Sequence, residues 1–150
     1  MSFPAQLVLL AAISALTAQA QEAGGWRADS RTAKTITGDV AFAPDKLYIN
    51  FIPFSIASIR PLQPAEIAAA FDSDSTAPGA GNLYRLSVPG TKKFLHNNTL
   101  CGTDDTQWLA TYASGKTLHL AFFSGATMPV FTLEALANAT SLCGTYSYVR

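Results

Sequence analysis

One tetrapeptide occurs twice, and its two copies hold every cysteine in the chain. Leu100-Cys101-Gly102-Thr103 returns as Leu142-Cys143-Gly144-Thr145. The fate of those two thiols constrains the fold more than any other feature. A zinc site wants four ligands at close spacing, and each cysteine stands alone, with only His96 and His119 in the chain to help. A redox pair is normally Cys-x-x-Cys, whereas these residues lie 42 positions apart. No local pattern supplies a base for a nucleophilic cysteine. In an oxidising compartment the pair reads as a disulfide, with free or metal-bound thiols as the alternatives. Closing a loop of that length stabilises a fold by roughly 4 kcal/mol on the chain-entropy model. The glycine after each cysteine lets the backbone turn or pass close to a neighbour.

The compartment is read from the N-terminus. Leu7 to Ala18 is an uncharged run too short to span a bilayer, and Ala18-Gln19-Ala20 follows as a small-x-small cleavage site. Met1 to Gln6 carries no Lys or Arg, a departure from the usual secretory pattern. The expectation is a signal peptide over 1–20 and a periplasmic or secreted protein. No later stretch is apolar for long enough to cross a membrane. About 130 residues remain, one domain able to bury roughly two thirds of its unfolded surface. Ten basic and ten acidic residues give zero net charge, and no basic cluster forms the face that nucleic-acid binding requires.

Residues 21–34 read as a loose polar lead-in, with Trp26 the exception that packs onto the domain. Residues 35–150 read as a single β-rich domain. Thr35 to Phe42 alternates as a half-buried strand does, with Ile36, Val40 and Phe42 on one face. Pro44 marks a turn. Leu47 to Ile52 resumes the alternation, with Leu47, Ile49 and Phe51 on one side. Pro53 interrupts, Phe54 to Ile59 is a further strand, and Pro61 and Pro64 stop it. Pro64 to Phe71 is the one good helix, with proline at its first position, Glu66 near the positive end of the dipole and an Ile67, Ala70, Phe71 stripe to lie on the sheet. Asp72-x-Asp74-x-Thr76 opens like a calcium loop, but Ala77 and Leu83 stand where the glycine and bidentate glutamate belong, so capping and a solvated loop are the expected roles. Asn82 to Val88 is a strand closed by Pro89-Gly90.

Gln107 to Phe123 is a hairpin around Ala113-Ser114-Gly115. A Ser-Gly turn would place Leu109 and Thr111 opposite Leu120 and Leu118. A three-residue loop with Gly115 left-handed would gather Trp108, Tyr112, Leu118, Leu120 and Phe122 on one side, and burial favours that register. His119 then lies on the other face, near Leu109 and Phe123. Residues 128–137 stay unassigned, and Gly144 to Val149 is a final strand. The expected fold class is mainly β: a small antiparallel barrel or sandwich of about seven strands with one short helix and one disulfide, Cys101 to Cys143.

Few residues carry chemistry. Neither G-x-S-x-G nor a phosphate loop is present. Glu66 and Glu134 show no sign of being paired. His96 and His119 are the natural acid/base candidates, and an ordinary structural histidine is the base expectation for each. Were there catalysis, His96, Asp104 and Asp105 beside the disulfide would be its first candidates. No catalytic residue, metal site or cofactor is expected. Asn97-x-Thr99 and Asn138-x-Thr140 match the glycosylation acceptor pattern, which matters only in a eukaryotic host.

Ile36-Thr37-Gly38-Asp39, Thr99-Leu100-Cys101-Gly102, Trp108, Ala121-Phe122-Phe123-Ser124-Gly125 and the ending Leu142 to Arg150, LCGTYSYVR, together resemble small exported proteobacterial proteins of unknown function. The resemblance implies a periplasmic or secreted bacterial domain with a disulfide near its C-terminus, and carries no activity. A neutral, apolar-rich sheet domain without a catalytic signature reads as a non-enzymatic binding or inhibitor-like interaction domain of the cell envelope, with an unidentified protein partner or small ligand. Its candidate surface is His96, Asn97, Asn98, Asp104 and Asp105. The alternatives are a carrier of a small apolar ligand in an aromatic-lined barrel interior, and a small envelope hydrolase.

Overall fold

The computed structural model describes residues 21–74, 76 and 78–150. The segment 1–20, expected to be a signal peptide, lies outside the described residues. Eight strands follow one another in chain order: β1 Gly24–Ala28, β2 Val40–Ala43, β3 Lys46–Ile49, β4 Ile52–Pro61, β5 Ala80–Val88, β6 Thr106–Ser114, β7 Thr117–Ser124 and β8 Leu142–Val149. Each pairs antiparallel with the next, and β8 returns to β1, so the sheet closes into a barrel and leaves no free edge. The β1 seams are the shortest, with three residue pairs to β2 and two to β8 (Arg27↔Val149, Ala28↔Tyr148). A helix α1, Pro64–Phe71, fills the β4–β5 connection, and a one-turn helix α2, Leu133–Ala137, the β7–β8 connection.

An up-and-down barrel sorts its connections by end. One end, the rim, carries the β1–β2 connection, the Asn50-Phe51 turn, residues 89–105 and residues 125–141. The other end, the base, carries Gln21, the β2–β3 turn, α1, the β6–β7 turn and the C-terminus.

Alternation along the strands sends Trp26, Val40, Phe42, Leu47, Ile49, Tyr84, Leu86, Leu109, Leu118, Leu120, Phe122, Tyr146 and Tyr148 inward as one buried cluster. Eight strands enclose a space that side chains of this size fill. A second apolar layer lies outside β5–β7, where Leu83, Trp108, Ala110, Tyr112, Ala121 and Phe123 are covered by Leu62, Ile67 and Phe131. The Ile67, Ala70, Phe71 stripe of α1 faces this layer as the sequence pattern indicates. Glu66 at the start of α1 accepts from the Gln63 backbone N–H (2.9 Å) and pairs with Arg60 through two bonds of 2.7 and 2.8 Å.

The disulfide joins Cys101 to Cys143 with 5.0 Å between their Cα atoms. It ties the β5–β6 connection at the rim to the start of β8. Beside it the chain crosses itself closely: a Cβ on Gly90 would lie 2.2 Å from the Thr103 carbonyl oxygen.

Several sequence-based expectations need correction. The mainly β antiparallel barrel with one disulfide is as expected, but the segment 21–34 read as a loose lead-in holds its first strand, β1, anchored by buried Trp26. Thr35 does not begin a strand. Ala33–Thr37 form a π-helical turn closed by Gly38 N–H to Ala33 O (2.8 Å), and buried Thr37 shares a hydrogen bond of 2.7 Å with the Tyr148 hydroxyl. Pro53 does not interrupt β4. It stands opposite Tyr48, next to the closing pair Ile49↔Ile52, and β5 pairs with β4 only from Ile56, so no ladder bond needs its missing N–H.

The β6–β7 hairpin follows neither of the two registers weighed. Its loop is Gly115-Lys116, with Gly115 at φ 58°, and it places Ser114 opposite Thr117 and Thr111 opposite Leu120. Trp108 and Tyr112 therefore face outward while Leu118, Leu120 and Phe122 face inward. Burial could not choose this register because both faces of β6 are buried. His119 stands opposite Tyr112 on the outer face, not near Leu109, and its ring completes a triangle with Tyr112 and Phe71, with centroids 5.9 and 6.0 Å away.

Candidate functional site

Left-handed backbone is where this fold departs most from what its side chains prefer. Among the described residues five non-glycine residues have positive φ: Asn50, Phe51, Asp72, His96 and Asn97. Asp72 merely ends α1. The other four all sit at the rim, in two neighbouring loops. Such strain persists only where the surroundings enforce it, and it concentrates at functional sites.

The first loop is the β5–β6 connection. His96 and Asn97 are exposed and Asn98 half-buried. The Nδ1–H of His96 donates to the Thr35 carbonyl (3.0 Å), and the Asn98 side chain donates to the same oxygen (3.3 Å). Those bonds dock the loop onto the π-helical turn. Asp104 and Asp105 are exposed at the far side of the same connection, beside the disulfide. Asp105 accepts from the Gly90 backbone N–H (2.8 Å), and the Asp104 N–H donates to the Cys101 carbonyl (3.1 Å). The five residues picked from the sequence therefore share one rim loop, in two groups. Among the described residues neither aspartate hydrogen-bonds to His96, and no group of three or more His, Cys, Asp or Glu side chains is placed to hold a metal ion.

The second loop is the two-residue turn Asn50-Phe51, with φ of 47° and 69°. Asn50 suits that conformation and donates its N–H to the Asp39 carbonyl (2.9 Å). Phe51 does not suit it: this second position of a tight hairpin favours glycine. Its ring is also 89% exposed, the most exposed large hydrophobic side chain among the described residues. The alternation had placed Phe51 inward with Leu47 and Ile49, an expectation the turn overturns. The two loops touch across Gly38, whose added Cβ would lie 3.2 Å from Leu95 Cδ1 and 3.5 Å from Asn50 Oδ1.

Below Phe51 the outer wall of β1–β3 is bare. Gly25, Ala41 and Tyr48 are cross-strand partners there, and with Arg27, Asp39 and Phe51 they line an open groove of about 500 Å³. Gly25 and Ala41 make its floor low; nothing lies within 4 Å of a Cβ built on Gly25. Tyr48 and Phe51 rise beside it. Sequence reasoning missed this feature. Asn50 was the available signal, since asparagine favours left-handed turns, but Phe51 stood where glycine would have completed the pattern.

Three further groups with shifted titration lie away from the two rim loops. Burial between aromatic rings pushes His119 below the usual histidine range. The Arg60 guanidinium holds Glu66 below the usual carboxylate range. Asp74 accepts from the backbone N–H and hydroxyl of Thr76 (both 2.9 Å), a self-contained turn in an exposed loop that caps no helix. Compared with protein-family models, curated proteins and solved structures, the chain matches none.

Proposed function

We propose that the protein is a non-enzymatic, inhibitor-like interaction domain of the cell envelope, exported by the segment 1–20, that binds a protein partner through its rim. Phe51 carries the reading: a large apolar ring held in a strained turn and given to solvent has no internal use for either cost. Central aromatic anchors dominate binding energy at protein interfaces. His96, Asn97 and Asn98 sit on the loop that meets the Phe51 turn across Gly38, Asp104 and Asp105 extend the polar surface at the far side of that loop, and the groove beside Tyr48 takes an apolar side chain from the partner. A disulfide is compatible with an oxidising compartment, and no helix of the described residues is long and apolar enough to cross a membrane. The interior packed with large side chains favours this reading over a small-ligand carrier, and the separation of His96 from the aspartates favours it over a hydrolase.

A photo-crosslinking phenylalanine analogue at position 51, with a second at exposed Lys116 in the β6–β7 turn at the base as control, tests the assignment in envelope extracts. The expected result is one dominant adduct from position 51 alone, whose purified partner binds the native protein and loses affinity for Phe51→Ala. Equal affinity for Phe51→Ala overturns the anchor. Asp104→Ala with Asp105→Ala narrows the polar neighbourhood: unchanged binding removes both aspartates from the surface.

A further inference from the structure

The base of the barrel holds a different kind of site. Glu22, two residues before β1, points into the barrel and is only 1% exposed. Its carboxyl meets three donors. Asn82 Nδ2 (2.8 Å) and the Thr111 hydroxyl reach Oε1, and the Tyr84 hydroxyl reaches Oε2 at 2.6 Å. Asn82 and Tyr84 alternate along β5, and Thr111 stands opposite Asn82 on β6, so one patch of inner wall displays all three. No Lys, Arg or His forms an ion pair with Glu22 among the described residues. The patch is a neutral cradle for a carboxyl group.

The backbone around Glu22 is gripped as a bound peptide would be. Trp26 Nε1 donates to the Glu22 carbonyl (2.8 Å). The Arg150 guanidinium donates to the carbonyls of Ala23 (2.7 Å) and Gln21 (3.0 Å) and lies 3.9 Å over the Trp26 ring. The strand that follows is the one with the fewest pairs to its neighbours. Holding a strand end needs no carboxyl in the core, since burying one is costly unless its bonds are all made. Three convergent donors are a recognition device.

We propose that Asn82, Tyr84 and Thr111 form a carboxylate-binding site inside the barrel base, occupied in cis by Glu22, which takes a free aliphatic carboxylate when the Glu22 side chain is withdrawn. The chemical class is set by the donors: two oxygens receive three hydrogen bonds, in a space shaped for a CH2–COO group. This site is independent of the rim and of any partner there.

Glu22→Ala deletes the atoms that acetate would replace, so acetate is the probe, used on the full chain. Thermal unfolding of Glu22→Ala in sodium acetate, against equimolar sodium chloride and acetamide, should show a saturable rise in melting temperature with acetate, as ligand linkage to the native state requires. Acetate should bind more tightly than acetamide, whose NH2 would meet a donor where the site receives an acceptor oxygen, and its effect should grow as pH falls, because burial opposes the ionised form. Wild type and Glu22→Gln, with the space filled, should show no rise beyond chloride. Adding Tyr84→Phe and Thr111→Val to Glu22→Ala should abolish the acetate effect. Equal rescue by acetamide, or no rescue by acetate, overturns the proposal. Should Glu22→Ala fail to fold in chloride, refolding in acetate reads the same site by near-ultraviolet circular dichroism, and a chain that stays unfolded there overturns it as well.

Discussion

Phe51→Gly separates a residue kept for the fold from one kept for a partner. A non-glycine residue in the left-handed region costs about 1–2 kcal/mol, and Phe51 sits there at φ 69°. Glycine removes that strain but gives back about 0.5–1 kcal/mol through the greater freedom of the unfolded chain. Full burial of a phenylalanine is worth about 1.5–3 kcal/mol, and a ring that is 89% exposed forfeits only a tenth or so of it. The balance favours the variant by about 0.5 kcal/mol, or roughly 2 °C in a domain of this size. Urea unfolding monitored by tryptophan fluorescence should show a higher midpoint at unchanged slope. The same variant should lose partner affinity by about 30-fold, the scale of an interface hot spot. A protein destabilised by 1 kcal/mol or more would mean that the ring closes over the groove of its own barrel, and the external anchor would be refuted.

Glu22→Gln should change how stability depends on pH. Burial pushes the Glu22 carboxyl above its ordinary value of 4.5, with the bonds from Thr111, Tyr84 and Asn82 opposing. The native state then holds its proton more tightly than the unfolded chain, so this group contributes stability below pH 4.5 that is lost as pH rises through the native value. Denaturation series across that window should show the decline in wild type and not in Glu22→Gln. Replacing Cys101 and Cys143 by alanine should cost roughly 4 kcal/mol, read as a lower urea midpoint; an unchanged midpoint would mean that the closed barrel already confines the rim. Gly25→Leu should leave the melting temperature within about 2 °C, since nothing lies within 4 Å of the added Cβ, while filling the groove and lowering partner affinity.

How much of this was legible depended on how many faces of a segment are buried. Helix α1 was readable from Pro64 to Phe71 because one side meets the sheet and the other meets solvent, so its period stands out. The disulfide was readable because the spacing of the two cysteines suits neither a zinc site nor a redox pair, and the expected compartment favours a bond. The β6–β7 register was not, because Trp108 to Ala113 are buried without interruption and alternation carries no information there. The first strand hid in a polar, glycine-rich stretch because its role is to close the barrel and deliver Glu22, not to fill the core. The rim anchor was hidden for the opposite reason. Phe51 continues the inward alternation of Leu47 and Ile49, and only the fold shows that the chain reverses before reaching it.

Closure also dictates where a partner can bind. With β8 paired to β1 there is no edge to augment, so contact is left to the ends and the outer wall. The base is plugged by the N-terminal segment under Arg150. The wall over β5–β7 is covered by α1 and by the β7–β8 connection that carries Phe131. What stays bare is the wall of β1–β4, and three of the exposed large hydrophobic residues, Tyr48, Phe51 and Ile59, lie on it. That wall rises into the rim at the point where the two strained loops meet across Gly38. One face of the molecule therefore combines an uncovered apolar surface, a low floor at Gly25 and Ala41, and backbone held in disfavoured conformations. An interaction domain needs these to coincide; a structural barrel has no reason to place them together.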